Sequence, residues 1–191
     1  MQNINELIGI IKGINFDGVI NNKEVVRLQS WVDKNRNLAY DKCQMELIKM
    51  VDAVLENNVI DDEEKKLMLS TCEEFLQETG DNTSRIYELN GIIEGVVCDG
   101  EVNEAEILRL EEWMYNYGDS IREHKTSAEL CKVIADILED GIVTEEEQAE
   151  LLDLLSSRIQ NAQFENKLLY LCKLVKEKKN IGTDLIDILN N

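Results

Sequence analysis

Apolar residues recur at helical spacing in "INELIGIIKGINFDGVINNKEVVRLQSW" (residues 4–31), where Ile4, Leu7, Ile8, Ile11 and Ile14 share one face. After a break at Asp17-Gly18, Val25, Leu28 and Val32 define a second face. The pattern predicts helix, tight turn, helix. It returns in "IYELNGIIEGVVCDGEVNEAEILRLEEW" (86–113), with identity at half of the 28 aligned positions and no gap. A weaker relative follows each strong copy: "ELIKMVDAVLENNVIDDEEKK" (46–66) and "ELCKVIADILEDGIVTEEEQA" (129–149). The turns fall at Gly18, Asn58, Gly100 and Gly141, so the unit is about 41 residues and the duplicated pair about 82. We therefore expect an all-α fold of about ten helices. Four repeated helical hairpins form a duplicated bundle over 1–160 (halves 1–80 and 81–160), and C-terminal capping helices occupy 161–191.

The letters around each turn have physical reasons. Gly18, Gly100 and Gly141 suit the left-handed conformation that ends a helix, and Asn58 is the usual substitute for glycine there. Asn21, Asp61, Asn103 and Thr144 can each cap the next helix, and three residues on stand Glu24, Glu64, Glu106 and Glu147, completing four capping boxes. In the odd units Ile20 with Val25, and Val102 with Ile107, add a hydrophobic staple, whereas Lys65 and Gln148 stand at the second place in the even units. Gly9 and Gly13, repeated as Gly91 and Gly95, interrupt otherwise strong helices at a cost of about 1 kcal/mol each. Close backbone approach would offset that cost, so the two duplicated helices are expected to cross at these glycines about a pseudo-two-fold axis. Membrane helix pairs use the same spacing, but these segments are too short to span a bilayer.

Charge narrows the choice of partner. With 39 acidic against 20 basic side chains the formal charge is −19, which disfavours direct nucleic-acid binding and membrane surfaces and favours a protein partner with a basic surface. Five cysteines form no close pair and suit core thiols in a reducing compartment. The N-terminus shows no basic region or cleavage site, so a soluble, cytoplasmic protein is expected. Proline is absent, which permits long helices. His124, the only histidine, lies in a polar connector, and no motif of a known catalytic class appears, so the chain is expected not to be an enzyme.

The Asp-Gly turns look like the second half of a calcium loop. With Gly18 at the turn position of such a loop, Asp17 and Glu24 stand at ligand positions, but Gly13 and, in the third unit, Gly95 replace the first ligand. The fourth unit offers Asp136 there, yet Leu138 occupies the next ligand place. Capping and turn formation account for these acids without a metal. The alternative is a weak site for Ca2+, Mg2+ or Zn2+ built from Asp17 and Glu24, Asp99 and Glu106, or Asp140 and Glu147 once two turns are paired. Arg27 and Arg109 are expected to pair with the acids of the neighbouring turn, Asp17 and Glu24 or Asp99 and Glu106. Trp31 and Trp113, equivalent in the two copies, are expected in the core; if partly exposed, they would anchor a partner.

The stretches "GINFDGVINNKE" (13–24) and "GVVCDGEVNEAE" (95–106), with the looser "DILEDGIVTEEE", resemble the tellurite-resistance TerB-like family, which includes the membrane-proximal domain of DjlA-type co-chaperones. The resemblance covers most of residues 1–160. It implies an all-helical bacterial or phage module with an acidic surface, divalent-cation binding at the Asp-Gly loops through Asp17, Glu24, Asp99 and Glu106, and an accessory role in stress response or conflict systems. Four turns instead of two, and Asn57-Asn58 in place of Asp-Gly, depart from the family pattern. Three functions follow as expectations. The first is a non-enzymatic adaptor that recruits a basic protein partner. The others are a divalent-cation-binding version of that module and a phage-encoded nucleic-acid mimic that blocks a defence protein.

Overall fold

The computed structural model describes residues 4–36, 42–57, 59–79, 82–121 and 125–176. Asn58 and His124, and with them the expectations placed on those positions, lie outside the described residues. Among the described residues the chain is all-helical: α1 (Ile4–Gly13), α2 (Asn22–Asn35), α3 (Lys42–Val54) with a 3-10 turn at Leu55–Asn57, α4 (Asp62–Thr79), α5 (Asn82–Val97), α6 (Glu104–Ile121), α7 (Lys125–Ile137) and α8 (Glu145–Lys176). That is eight α-helices where about ten were expected. The difference lies at the C-terminal end. α8 runs unbroken through the place where a separate capping piece was expected to begin, because no glycine or proline interrupts the sequence between Glu145 and Lys176. Residues 177–191, which include the expected last short helix, are outside the described set. No described helix is long and apolar enough to cross a membrane.

The neighbours of α1 are α2, α4 and α5, and those of α5 are α6, α8 and α1. α2 packs on α3 and α3 on α4, as α6 does on α7 and α7 on α8. Apolar side chains gather in two clusters. One is built from α1 to α4 around Leu7, Ile11, Leu28, Trp31 and Met68, the other from α5 to α8 around Leu89, Ile93, Leu110, Ile134 and Leu151. Each cluster borrows one side chain from the opposite corner: Cys98 packs against the first and Phe16 against the second. These residues hold equivalent places in the duplicated sequence, so the exchange is reciprocal.

The most extensive helix contact joins α1 to α5. Gly9 faces Gly91 and Gly13 faces Gly95, so the two helices run parallel and their C-terminal ends emerge side by side. A Cβ on Gly9 would lie 2.1 Å from the Glu88 carbonyl oxygen, and one on Gly91 would lie 2.1 Å from that of Glu6. Backbone touches backbone along this seam. Only glycine permits such an approach, and it brings Leu7, Ile8, Leu89 and Ile92 into full burial beside it.

Candidate functional site: the paired Asp-Gly corners

Because α1 and α5 are parallel, the turns that follow them meet. Gly18 and Gly100 have φ of +79° and +88°, the left-handed region, and their N–H groups close the turns onto Asn15 O and Val97 O at 3.1 Å. Asp17 Oδ1 accepts from Val19 N at 2.8 Å and Asp99 Oδ1 accepts from Glu101 N at 3.0 Å, so each aspartate first serves its own turn. The second oxygens reach across. Asn21 Nδ2 donates to Asp99 Oδ2 at 3.0 Å, and Asn103 Nδ2 donates to Asp17 Oδ2 at 3.4 Å. Lys23 Nζ adds a bond to the Asp99 carbonyl oxygen.

The caps of α2 and α6 share this corner. Asn21 Oδ1 accepts from Lys23 N and Glu24 N while Glu24 Oε2 accepts from Asn21 N at 2.6 Å; Asn103 and Glu106 make the same reciprocal bonds. Asp61 with Glu64, and Thr144 with Glu147, do so at the other two turns. Asp140 Oδ1 accepts from Ile142 N at 2.9 Å beside Gly141. Glu24 and Glu106 are 2% and 4% exposed, far more buried than a glutamate at a helix start usually is. Burial pushes the Glu24 carboxyl up to about 7 and that of Glu106 up to about 8. The backbone bonds from Asn21 and Asn103 oppose this, and the charges of Asp17 and Asp99 add to it at both sites. Cys98 lies in the same pocket of negative charge, and burial with Glu24 and Asp99 holds its thiol up to about 12.

The structure thus brings together Asp17, Glu24, Asp99 and Glu106 and leaves Asp140 and Glu147 at a separate turn. The residues as placed do not fit a metal ion. Both oxygens of Asp17 and Asp99, and one oxygen each of Glu24 and Glu106, already accept backbone or amide N–H groups, and no group of three acidic, cysteine or histidine side chains among the described residues could hold one. The arginines take other partners than expected. Arg27 pairs with Glu94 of α5, which the parallel crossing places beside α2, and Arg109 pairs with Glu112 one turn along its own helix at 2.7 Å. Trp31 and Trp113 are 0% and 6% exposed, so both lie in the core.

Sequence reasoning missed the buried ion network beside the seam. Glu88 has no exposed surface, yet its carboxylate accepts from Lys12 Nζ at 2.8 Å, Arg85 Nη1 at 2.5 Å and Trp113 Nε1 at 3.2 Å. Trp31, the equivalent of Trp113, has no partner for its indole N–H. The signal lies in the duplicated pair Lys12 and Glu94: the seam carries opposite charges at one position, so it cannot be symmetric. No protein-family model matches the chain, and neither the curated proteins nor the solved structures give a match.

Proposed function

We propose that this chain is a non-enzymatic helical adaptor whose acidic surface recruits a protein partner with a basic face. The observation that carries the proposal is the chemistry of the turn tips. Val19, Val59 and Ile142 are 66%, 65% and 66% exposed and stand two residues before the cap of their unit. Acids stand within three residues of each in the chain: Asp17 before Val19, Asp61 and Asp62 after Val59, and Glu139 and Asp140 before Ile142, with Lys65 bonded to the Gly18 carbonyl beside the first. A tight turn gains nothing from an exposed aliphatic residue, and Glu101 holds the same place in the third turn without harm to the fold. Apolar tips beside predominantly acidic side chains complement a partner that surrounds shallow apolar pockets with Lys and Arg. The likeness of "FDGVINNKE" and "CDGEVNEAE" to TerB-like corners supports a place among stress-response or conflict modules.

The test compares capture of proteins from a bacterial lysate by the full chain and by the triple variant Val19→Ser, Val59→Ser, Ile142→Ser. The proposal expects a saturable, salt-weakened partner that the variant loses at unchanged fold. Equal capture by both chains would overturn it. A cation-dependent version of the module would require the corner carboxylates to release their backbone N–H groups. Titration with calcium, magnesium and zinc separates the two: a melting temperature that rises at millimolar ion favours the cation version, an unchanged one the plain adaptor.

A further inference from the structure

A cavity of about 340 Å3 lies between α5, α7 and α8, away from the corners. Ile86, Leu130 and Leu154 supply apolar walls, while Asn90, Ser127 and Arg158 supply the polar ones. Arg158 is the anomaly. Its Nη2 donates to the Oγ of the fully buried Ser127 at 3.2 Å, its Nε is buried with no partner, and burial lowers its pKa from the ordinary value. In a chain with 39 acidic residues, no described carboxylate lies within ion-pair reach of this guanidinium. Arg158 is half-buried, and a cation that loses hydration in this way is ordinarily offset by a paired acid. Glu129, also on the rim, is exposed.

The duplicated sequence shows what a plain structural solution looks like here. In the register of the two weaker copies, with 129 on 46, the buried Leu151 and Leu155 of α8 fall on the buried Met68 and Cys72 of α4, and Arg158 then falls on Phe75. In the register of the strong copies, with 86 on 4, Asn90 of α5 falls on Ile8 of α1. Both Phe75 and Ile8 are buried in the first apolar cluster. One half fills this place with hydrocarbon, and the other opens a cavity with a cation and an amide inside it.

We propose that the cavity around Arg158 binds a small organic carboxylate with an apolar body, the acid group on the guanidinium and the body against Ile86, Leu130 and Leu154. The planar fork of Arg158 and the Ser127 hydroxyl suit a carboxylate, and the volume and walls fit a ligand that buries most of its apolar surface. This site is independent of the adaptor proposal, since it shares no residue with the turn tips.

The experiment is calorimetric or NMR titration of the full chain with octanoate, octanol and inorganic phosphate. Octanoate should saturate one site and bind about tenfold or more tighter than octanol, as a charge-assisted pair requires. Arg158→Met should remove that preference by weakening octanoate about tenfold. Arg158→Phe, which installs the residue of the other half, should fill the cavity, raise the melting temperature and abolish binding. No saturable octanoate binding, equal affinity for octanoate and phosphate, or undiminished binding by Arg158→Met would each overturn the proposal.

Discussion

Gly9→Ala is the most direct probe of the seam. In a helix that touched nothing, the change would stabilise by about 1 kcal/mol, because alanine is the better helix former. Here the added Cβ would stand 2.1 Å from Glu88 O and 2.7 Å from Ile92 N, against about 3.4 Å for ordinary contact. Both obstacles are backbone, so no side chain can swing aside and α1 must move off α5 by about 1 Å. A gap of that size forfeits a quarter to a half of each dispersion contact along the seam. The contacts at risk are those of Leu7, Ile8, Leu89 and Ile92, all fully buried. Overpacking typically costs 1–3 kcal/mol, and backbone obstacles put this case at the upper end, so we expect a net loss of about 2 kcal/mol after the propensity gain. For a chain of this size that lowers the melting temperature by roughly 4–8 °C. Gly18→Ala is the control: its φ of +79° carries strain of about 1–2 kcal/mol, but nothing lies within 4 Å of the new methyl. Urea and thermal denaturation of both variants give the answer. A melting temperature that rises in Gly9→Ala would refute the crossing.

Stability should fall as pH rises from about 5 to about 8, the reverse of ordinary acid denaturation. The folded carboxyls of Glu24 and Glu106, raised to about 7 and 8, hold protons that the unfolded chain releases near the ordinary 4.5. Melting curves across that range should show the slope, and Glu106→Gln, whose amide oxygen can still accept from Asn103 N, should flatten it; an unchanged slope contradicts the assignment. Glu88→Gln should destabilise by about 3 kcal/mol in urea denaturation, because Lys12 and Arg85 then lose their shared buried counter-charge; a change under ~0.5 kcal/mol would show that water screens the network. Trp31→Phe should cost about 1 kcal/mol less than Trp113→Phe, since only Trp113 donates to a buried carboxylate. Equal losses would mean that indole volume alone matters.

Local chemistry is what the sequence states clearly. The four capping boxes are legible because cap and glutamate sit three residues apart and report only on each other. The glycines at 9, 13, 91 and 95 are legible for the opposite reason: nothing local explains their cost, so something distant must. Partner choice is less visible. Arg27 reaches Glu94 because α1 and α5 are parallel, and neither periodicity nor spacing distinguishes parallel from antiparallel crossing. Arg109, in the equivalent place, faces no such acid because Lys12 stands where Glu94 does in the other copy. The Arg158 cavity is hidden for a related reason. A single arginine on an amphipathic helix reads as surface until the fold shows three helices closing over it.

Duplication explains why one half can depart from the other. A parallel glycine seam needs equivalent small residues on both helices, and so it holds α1 and α5 alike. Away from that seam the constraint relaxes, since each half has its own apolar cluster and can vary without disturbing the first contact. The differences follow this geometry. Next to the seam, Lys12 against Glu94 yields an ion network on one side only; farther out, Phe75 against Arg158 yields a filled core in one half and a polar cavity in the other. The corners lie between these regimes: they keep the Asp-Gly turn and the cap because both halves need them to enter α2 and α6, yet they exchange Val19 for Glu101 at the exposed tip.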